Sequence, residues 1–213
     1  MGESLRESKK LRTRHEIADS AMRLFAERGF DHVTVAEVAA AAGVSEKTVF
    51  NYFPTKEDLF YDEVPARQAA IRAAIRGRAP GESILSALRR LQVAECQRLS
   101  SPGFATFARI IEESPALRAK ELEVMAEFVQ VLTEAIQSEL GVDELDARIA
   151  AGLLVSVHRQ HFRRARQLAL AGKHGSAAVR HLRADLERAY HLLEHGLGEL
   201  ERSAASLSAI HTP

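Results

Sequence analysis

From one end of this chain to the other, apolar residues recur every three or four positions, and no stretch alternates apolar with polar residues at a period of two. That rhythm gathers side chains on one face of a helix and denies a strand its half-buried face. An all-α fold is therefore expected. Glycine, proline and serine breaks divide the 213 residues into about nine helices, enough chain for a small domain fused to a larger one, each with its own core.

The first helix is expected over Ser8–Arg28, with Ile17, Ala21, Leu24 and Phe25 on one face and Gly29 as its left-handed cap. Thr34 then opens a second, short helix. Glu37, three residues on, completes a capping box, and Val33 and Val38 stand at the positions of a hydrophobic staple. That helix stops at Gly43, and Ser45 caps a third that runs to Tyr52 or Phe53. Pro54 ends it by removing an amide donor and disfavouring helical geometry in the residue before it. Thr55 and Asp58 begin a fourth. Short capped helices joined by a tight glycine turn are the pattern of a helix-turn-helix.

Within Thr34–Phe60, Val35, Val38, Ala42, Val44, Val49 and Phe53 suit a miniature core, and Ala39 is small where helices must approach closely. The polar side chains of the third helix remain for solvent. A DNA major groove about 12 Å wide admits one α-helix, whose first residues meet the base edges. Lys47 and Thr48 are the expected base readers, Phe50 a partner for a thymine methyl, and Asn51 and Tyr52 donors to bases or phosphates. Lys56, beside outward-pointing amides, is an expected phosphate contact. Thr34, Ser45 and Glu46 complete the candidate interface. Arg6, Lys9, Lys10, Arg12 and Arg14 form a basic arm ahead of it, suited either to phosphates or to a solvated terminus.

Read as T-V-x-x-V-A-x-x-A-G-V-S-x-x-T-V-F-x-Y-F-x-T-K-E-D-L-F, this stretch resembles the DNA-binding signature of the TetR family of transcriptional regulators, over roughly Lys9–Phe60. One departure stands out. Phe50 occupies a position where the family often has tyrosine, so no hydroxyl is available there for a phosphate; Tyr52, where histidine is frequent, offers one. The resemblance implies a homodimer, usually a repressor, that leaves its operator when a small molecule enters the C-terminal domain. It divides the chain into a DNA-binding domain over 1–55, a ligand-binding and dimerisation domain over 56–203, and a frayed tail over 204–213.

Two long helical segments close the chain, Asp143–Ala171 and Ser176–Arg202. The second bears a stripe of Val179, Leu182, Leu186, Ala189, Tyr190, Leu193, Leu197 and Leu200 that must be covered, either by its own subunit or by a second copy. In a TetR-like protein the last two helices of each subunit form an intersubunit four-helix bundle. Leu153, Val157, Leu182, Leu186, Tyr190, Leu193 and Leu197 are accordingly the expected dimer contacts. The operator would then be an inverted repeat, since two recognition helices related by a twofold axis engage two half-sites. Phe104, Phe107, Met125, Phe128, Leu132, Val157, His158 and His161 are the expected lining of an effector pocket, although each also suits a plain core.

His158 with His161, and His191 with His195, share helix faces at spacings that fit a metal, yet neither pair has a third ligand at fixed spacing. Neither a metal nor a cofactor is expected. The single Cys96 rules out a disulfide framework. No apolar run approaches the roughly 18 residues of a membrane span, and charges occupy the start of the chain where a signal peptide would be apolar, so a cytoplasmic protein is expected. Nucleophile-elbow, phosphate-loop and H-E-x-x-H motifs are absent, which argues against an enzyme. The formal charge of zero argues against a nucleoid-type binder, which depends on releasing many counterions, and a helical scaffold is the other alternative.

Overall fold

Glycine and proline punctuation sets where each helix stops. A computed structural model describes the backbone of residues 2–196 and the side chains of residues 8–196, and among these residues it contains ten helices and no strand. They are α1 (Gly2–Arg28), α2 (Val35–Ala41), α3 (Glu46–Tyr52), α4 (Lys56–Phe60), α5 (Val64–Arg76), α6 (Ile84–Leu99), α7 (Pro102–Glu113), α8 (Pro115–Leu140), α9 (Glu144–Leu170) and α10 (Gly175–His195). The first helix starts earlier than its apolar face suggests, because nothing between Gly2 and Ser8 breaks it. Leu197, Leu200, the tail over 204–213 and the side chain of Arg6 lie outside the described residues. No described helix is long and apolar enough to cross a membrane.

The helices pack as two units. The first comprises the chain up to Gln68 together with Thr106–Val124; the second comprises Ala69–Ala105 and the chain from Met125 onward. In the first, α1 packs against α2 and α4, and α2 against α3. Ile17, Ala21 and Phe25 of α1 are wholly buried, and Val33, Val38, Val49, Phe53 and Leu59 fill the space around them. Gly29, at φ 82°, turns the chain out of α1, and its amide donates to the Phe25 carbonyl at 2.9 Å. Residues 106–124 complete this unit. Phe107 stacks on Phe60 with ring centroids 4.5 Å apart, the Tyr61 hydroxyl donates to the Leu117 carbonyl at 3.0 Å, and Ser114 donates to Asp31 at 2.8 Å.

In the second unit α10 packs along both α6 and α9. Leu182, Leu186 and Tyr190 of α10 are wholly buried there, together with Cys96 of α6 and Ala147, Ala151 and Ala165 of α9. Small residues on α9 let the helices approach. His161 is buried in this layer with Nε2 at 3.8 Å from the Cys96 sulfur, and burial drives its pKa from 6.5 down to about 4, so the ring is neutral. Burial likewise raises the Cys96 thiol and the Tyr190 phenol above their ordinary values.

Candidate nucleic-acid interface

Both ends of α2 are fixed by local chemistry. Thr34 caps α2, accepting from the Glu37 amide at 3.2 Å while the Glu37 carboxylate accepts from the Thr34 amide at 2.8 Å. The same carboxylate accepts from Arg28 at 2.7 Å. The Thr34 amide, followed by Arg28 and the Thr34 hydroxyl, holds the Glu37 pKa down at about 2. At the other end of α2, Val44 donates to Ala39 at 2.9 Å and Gly43 to Ala40 at 3.2 Å, the paired bonds of a Schellman turn. Gly43 sits at φ 66°, where a side chain would be strained even though open space surrounds it.

The turn delivers α3 with a sharp division of faces. Ser45 caps it, accepting from the Thr48 amide at 3.2 Å. Val49 and Phe53 point inward and are each 1% exposed. Glu46, Lys47, Phe50 and Asn51 point outward, and Phe50 keeps 47% of its surface in solvent. The exposed Phe50 ring on this seven-residue helix is flanked at i−3 and i+1 by a lysine and an asparagine. Lys47, Phe50 and Asn51 share one stripe because α-helical neighbours lie three and four residues apart. The expected Thr48 stands apart from that stripe. It is half-buried, and its hydroxyl lies 2.9 Å from the Ser45 hydroxyl, so it completes the cap. Tyr52 is half-buried, while Thr34 and Ser45 are exposed at the starts of α2 and α3.

Two basic residues have partners that the sequence did not reveal. The Lys56 ammonium lies 4.2 Å from the centroid of the Phe30 ring; burial lowers its pKa, and Asp31, Glu57 and Glu37 oppose that fall. Lys56 is thus half-buried at the start of α4, which Thr55 and Asp58 cap reciprocally. Asp58 also accepts from Lys120 at 3.2 Å. Arg14, expected in the basic arm, turns its guanidinium inward. It donates to the Tyr52 carbonyl at 2.9 Å and the Asp62 carbonyl at 3.2 Å, and lies 4.2 Å over the Phe53 ring. Arg14 stands one turn ahead of Ile17 on the buried face of α1, but periodicity alone does not tell an inward arginine from an exposed one. Lys9, Lys10 and Arg12 are exposed.

The residues expected at an effector pocket separate. Phe107 belongs to the first unit, on Phe60. In the second unit Phe104, Phe162, His158 and Phe128 form a continuous aromatic run: Phe104 meets Phe162 edge-on at 5.4 Å, Phe162 stacks on His158 at 6.1 Å, and His158 lies 5.8 Å from Phe128. Leu132 is buried and Met125 half-buried in the same unit. Val157 and His161 instead line a cleft of about 270 Å³ between α9 and α10, where Arg164 and Arg188 converge on Asp185 at 3.4 and 2.6 Å.

Among the expected dimer contacts, Leu182, Leu186 and Tyr190 are 0% exposed within a single chain, covered by α6 and α9. Leu193 and Val157 are half-buried, and Leu153 is exposed. Leu197 lies outside the described residues. Leu145, Ile149 and Leu153 form an exposed apolar stripe on α9 at four-residue steps.

A family model described as bacterial regulatory proteins, tetR family, matches residues 17–62, the span that holds α2, the turn, α3 and α4. The HTH-type transcriptional regulator TcmR of Streptomyces glaucescens is 30% identical over 166 residues, covering 74% of this chain and 73% of that protein. The fatty acid metabolism regulator protein of Bacillus subtilis is 25% identical over 147 residues, 65% of this chain and 76% of its own. Among solved structures, Thermus thermophilus FadR, a TetR family transcriptional repressor in complex with lauroyl-CoA, superposes with a TM-score of 0.52 at 26% identity, covering 86% of this chain and 94% of that one. A TetR-family regulator from Streptomyces coelicolor, at 22% identity, shares the fold with a TM-score of 0.55 over 85% of this chain and 96% of its own. The capped α2–turn–α3 unit, its outward stripe and the extended similarity to TcmR lead to one assignment: the chain belongs to the TetR family of bacterial transcriptional regulators, which bind DNA.

Proposed function

We propose that this regulator is a homodimeric, effector-responsive repressor that reads an inverted-repeat operator through α3 and acts in the cytoplasm without catalysing a reaction. The observation that carries the reading is the stripe of Lys47, Phe50 and Asn51, held outward by a helix whose other face is sealed. Lys47 and Asn51 hydrogen-bond base edges, and Phe50 packs on a thymine methyl. Glu46, Thr48 and Tyr52 flank these contacts; Thr34, Ser45 and Lys56 face phosphates from the helix starts. Residues 1–55 carry the reading head. Residues 56–203 carry the effector site and the contacts between copies.

One seven-residue helix covers too few base pairs for selectivity, so the reading needs a second copy. The exposed stripe of Leu145, Ile149 and Leu153 on α9, continued one turn on by the half-buried Val157, supports that interface, and Leu193 on α10 is likewise only half-buried. For the effector, the aromatic run of Phe104, Phe162, His158 and Phe128 supports an apolar molecule. The relative crystallised with lauroyl-CoA adds weight to an apolar guest. Selection of bound duplexes from random DNA tests the operator. The expected winner is an approximate inverted repeat with half-sites about one helical turn apart, or a multiple of it. An asymmetric single site, or no preferred sequence, would count against the reading. On the selected duplex, Lys47→Ala and Asn51→Ala should each cost about 1–3 kcal/mol.

A further inference from the structure

We propose that Arg14 is a positioning residue for DNA reading, a clamp that aims α3 from its C-terminal end; the proposal rests on the operator reading above. The two ends of α3 are fixed differently. At its start the Schellman turn and the Ser45 cap leave little freedom. At its end the last carbonyls lack intrahelical donors, as in every α-helix, and Pro54 brings no amide to satisfy them.

Arg14 supplies the missing donor from a distant part of the chain. One arm of its fork bonds the Tyr52 carbonyl in the last turn of α3, and the other bonds the Asp62 carbonyl just beyond α4. Its plane lies over Phe53, the buried residue on which α3 ends. A cation at this place also complements the partial negative charge of the helix C-terminus. Only a planar guanidinium serves two carbonyls and a ring at once; a lysine ammonium is a point charge on a flexible stem.

The consequence reaches the bases through geometry. Asn51 is next to Tyr52, at the end of α3 farthest from the glycine turn. Hydrogen bonds to base edges weaken outside a donor–acceptor range of about 2.7–3.2 Å, so a helix free to pivot at that end reads poorly even when it stays folded. Turned inward, Arg14 is unavailable to phosphates, unlike the exposed Lys9 and Lys10 beside it.

The test compares full-length wild type, Arg14→Lys and Arg14→Gln on the duplex that wins random selection and on a scrambled duplex of the same length. Helicity and salt dependence are measured in parallel. The expected result for Arg14→Lys is a preference for the selected duplex reduced about tenfold, equivalent to about 1.4 kcal/mol. Its helicity and its salt slope should match wild type, and its Phe53 amide should exchange faster. Arg14→Lys reading as selectively as wild type would overturn the clamp. So would equal losses on both duplexes in Arg14→Gln with a salt slope lower by about one, the mark of a phosphate contact that removing the charge abolishes. Loss of helicity in both variants would overturn it too, because Arg14 would then hold the unit together instead of aiming α3. If wild type itself prefers no duplex, the operator reading fails first, and the clamp with it.

Discussion

Glu37 shows how much one side chain can do at the start of a short helix. It closes the capping box of α2 and ties the end of α1 to it through Arg28. Its carboxyl titrates near 4.5 in an unfolded chain and at about 2 in the fold. A depressed carboxylate stabilises fully above the unfolded value and loses that contribution as pH falls from 4.5 toward 2. Thermal melts across that window should therefore show an acid-dependent loss that Glu37→Gln removes in part; identical acid profiles would mean that the box contributes nothing. At this scale the sequence was largely legible. Thr34 with Glu37, Ser45, and Thr55 with Asp58 were identifiable because capping depends on neighbours three residues apart. The partners of Arg14, Lys56 and Thr48 within the chain were not foreseen. Two of them find their partners across long sequence separations or over a ring, and basic residues near a terminus look alike until something folds over them.

A stripe on a helix says that a face must be covered, and only packing says by what. The periodicity of α10 leaves open whether its own subunit or a second copy covers the apolar stripe, and Leu182, Leu186 and Tyr190 are sealed by α6 and α9 of their own chain. The stripe left open is Leu145, Ile149 and Leu153 on α9, at the fringe of the periodicity that announced the helix. The two roles separate experimentally. Leu186→Ala should cost about 2–5 kcal/mol of stability, as truncation of a core leucine does. Leu153→Asp should leave the melting transition within about 0.5 kcal/mol in the isolated subunit while shifting sedimentation toward monomer. Were Leu153→Asp to remain dimeric with full operator affinity, α9 would be excluded as the central contact between copies.

The unit that carries α3 is built from two separated parts of the chain. Residues 106–124 bring Phe107 to Phe60, Leu117 to Tyr61, Ser114 to Asp31 and Lys120 to Asp58, and Arg109 donates to the Ala26 carbonyl at 3.1 Å. The packing that supports α3 therefore does not stop at residue 55, where the sequence suggests a division, but runs on to Gln68 and resumes over Thr106–Val124. Phe107→Ala should destabilise this unit by about 2 kcal/mol through lost burial and stacking. Amide exchange in α1 and α4 should accelerate accordingly; unchanged protection there would make residues 106–124 dispensable to it.

What the sequence determined by itself is local: helical periodicity, the glycine turn at Gly43, the proline stop at Pro54, the caps, and the outward placement of Glu46, Lys47, Phe50 and Asn51 on α3. Each follows from interactions within about one helical turn, so it is written in neighbouring letters. Tertiary structure alone decided which basic side chain faces inward, which apolar stripe is core and which is surface, and that residues 106–124 pack into the unit that carries α3. Those outcomes depend on partners tens of residues away, whose meeting is fixed only when helices compete for the same buried surface.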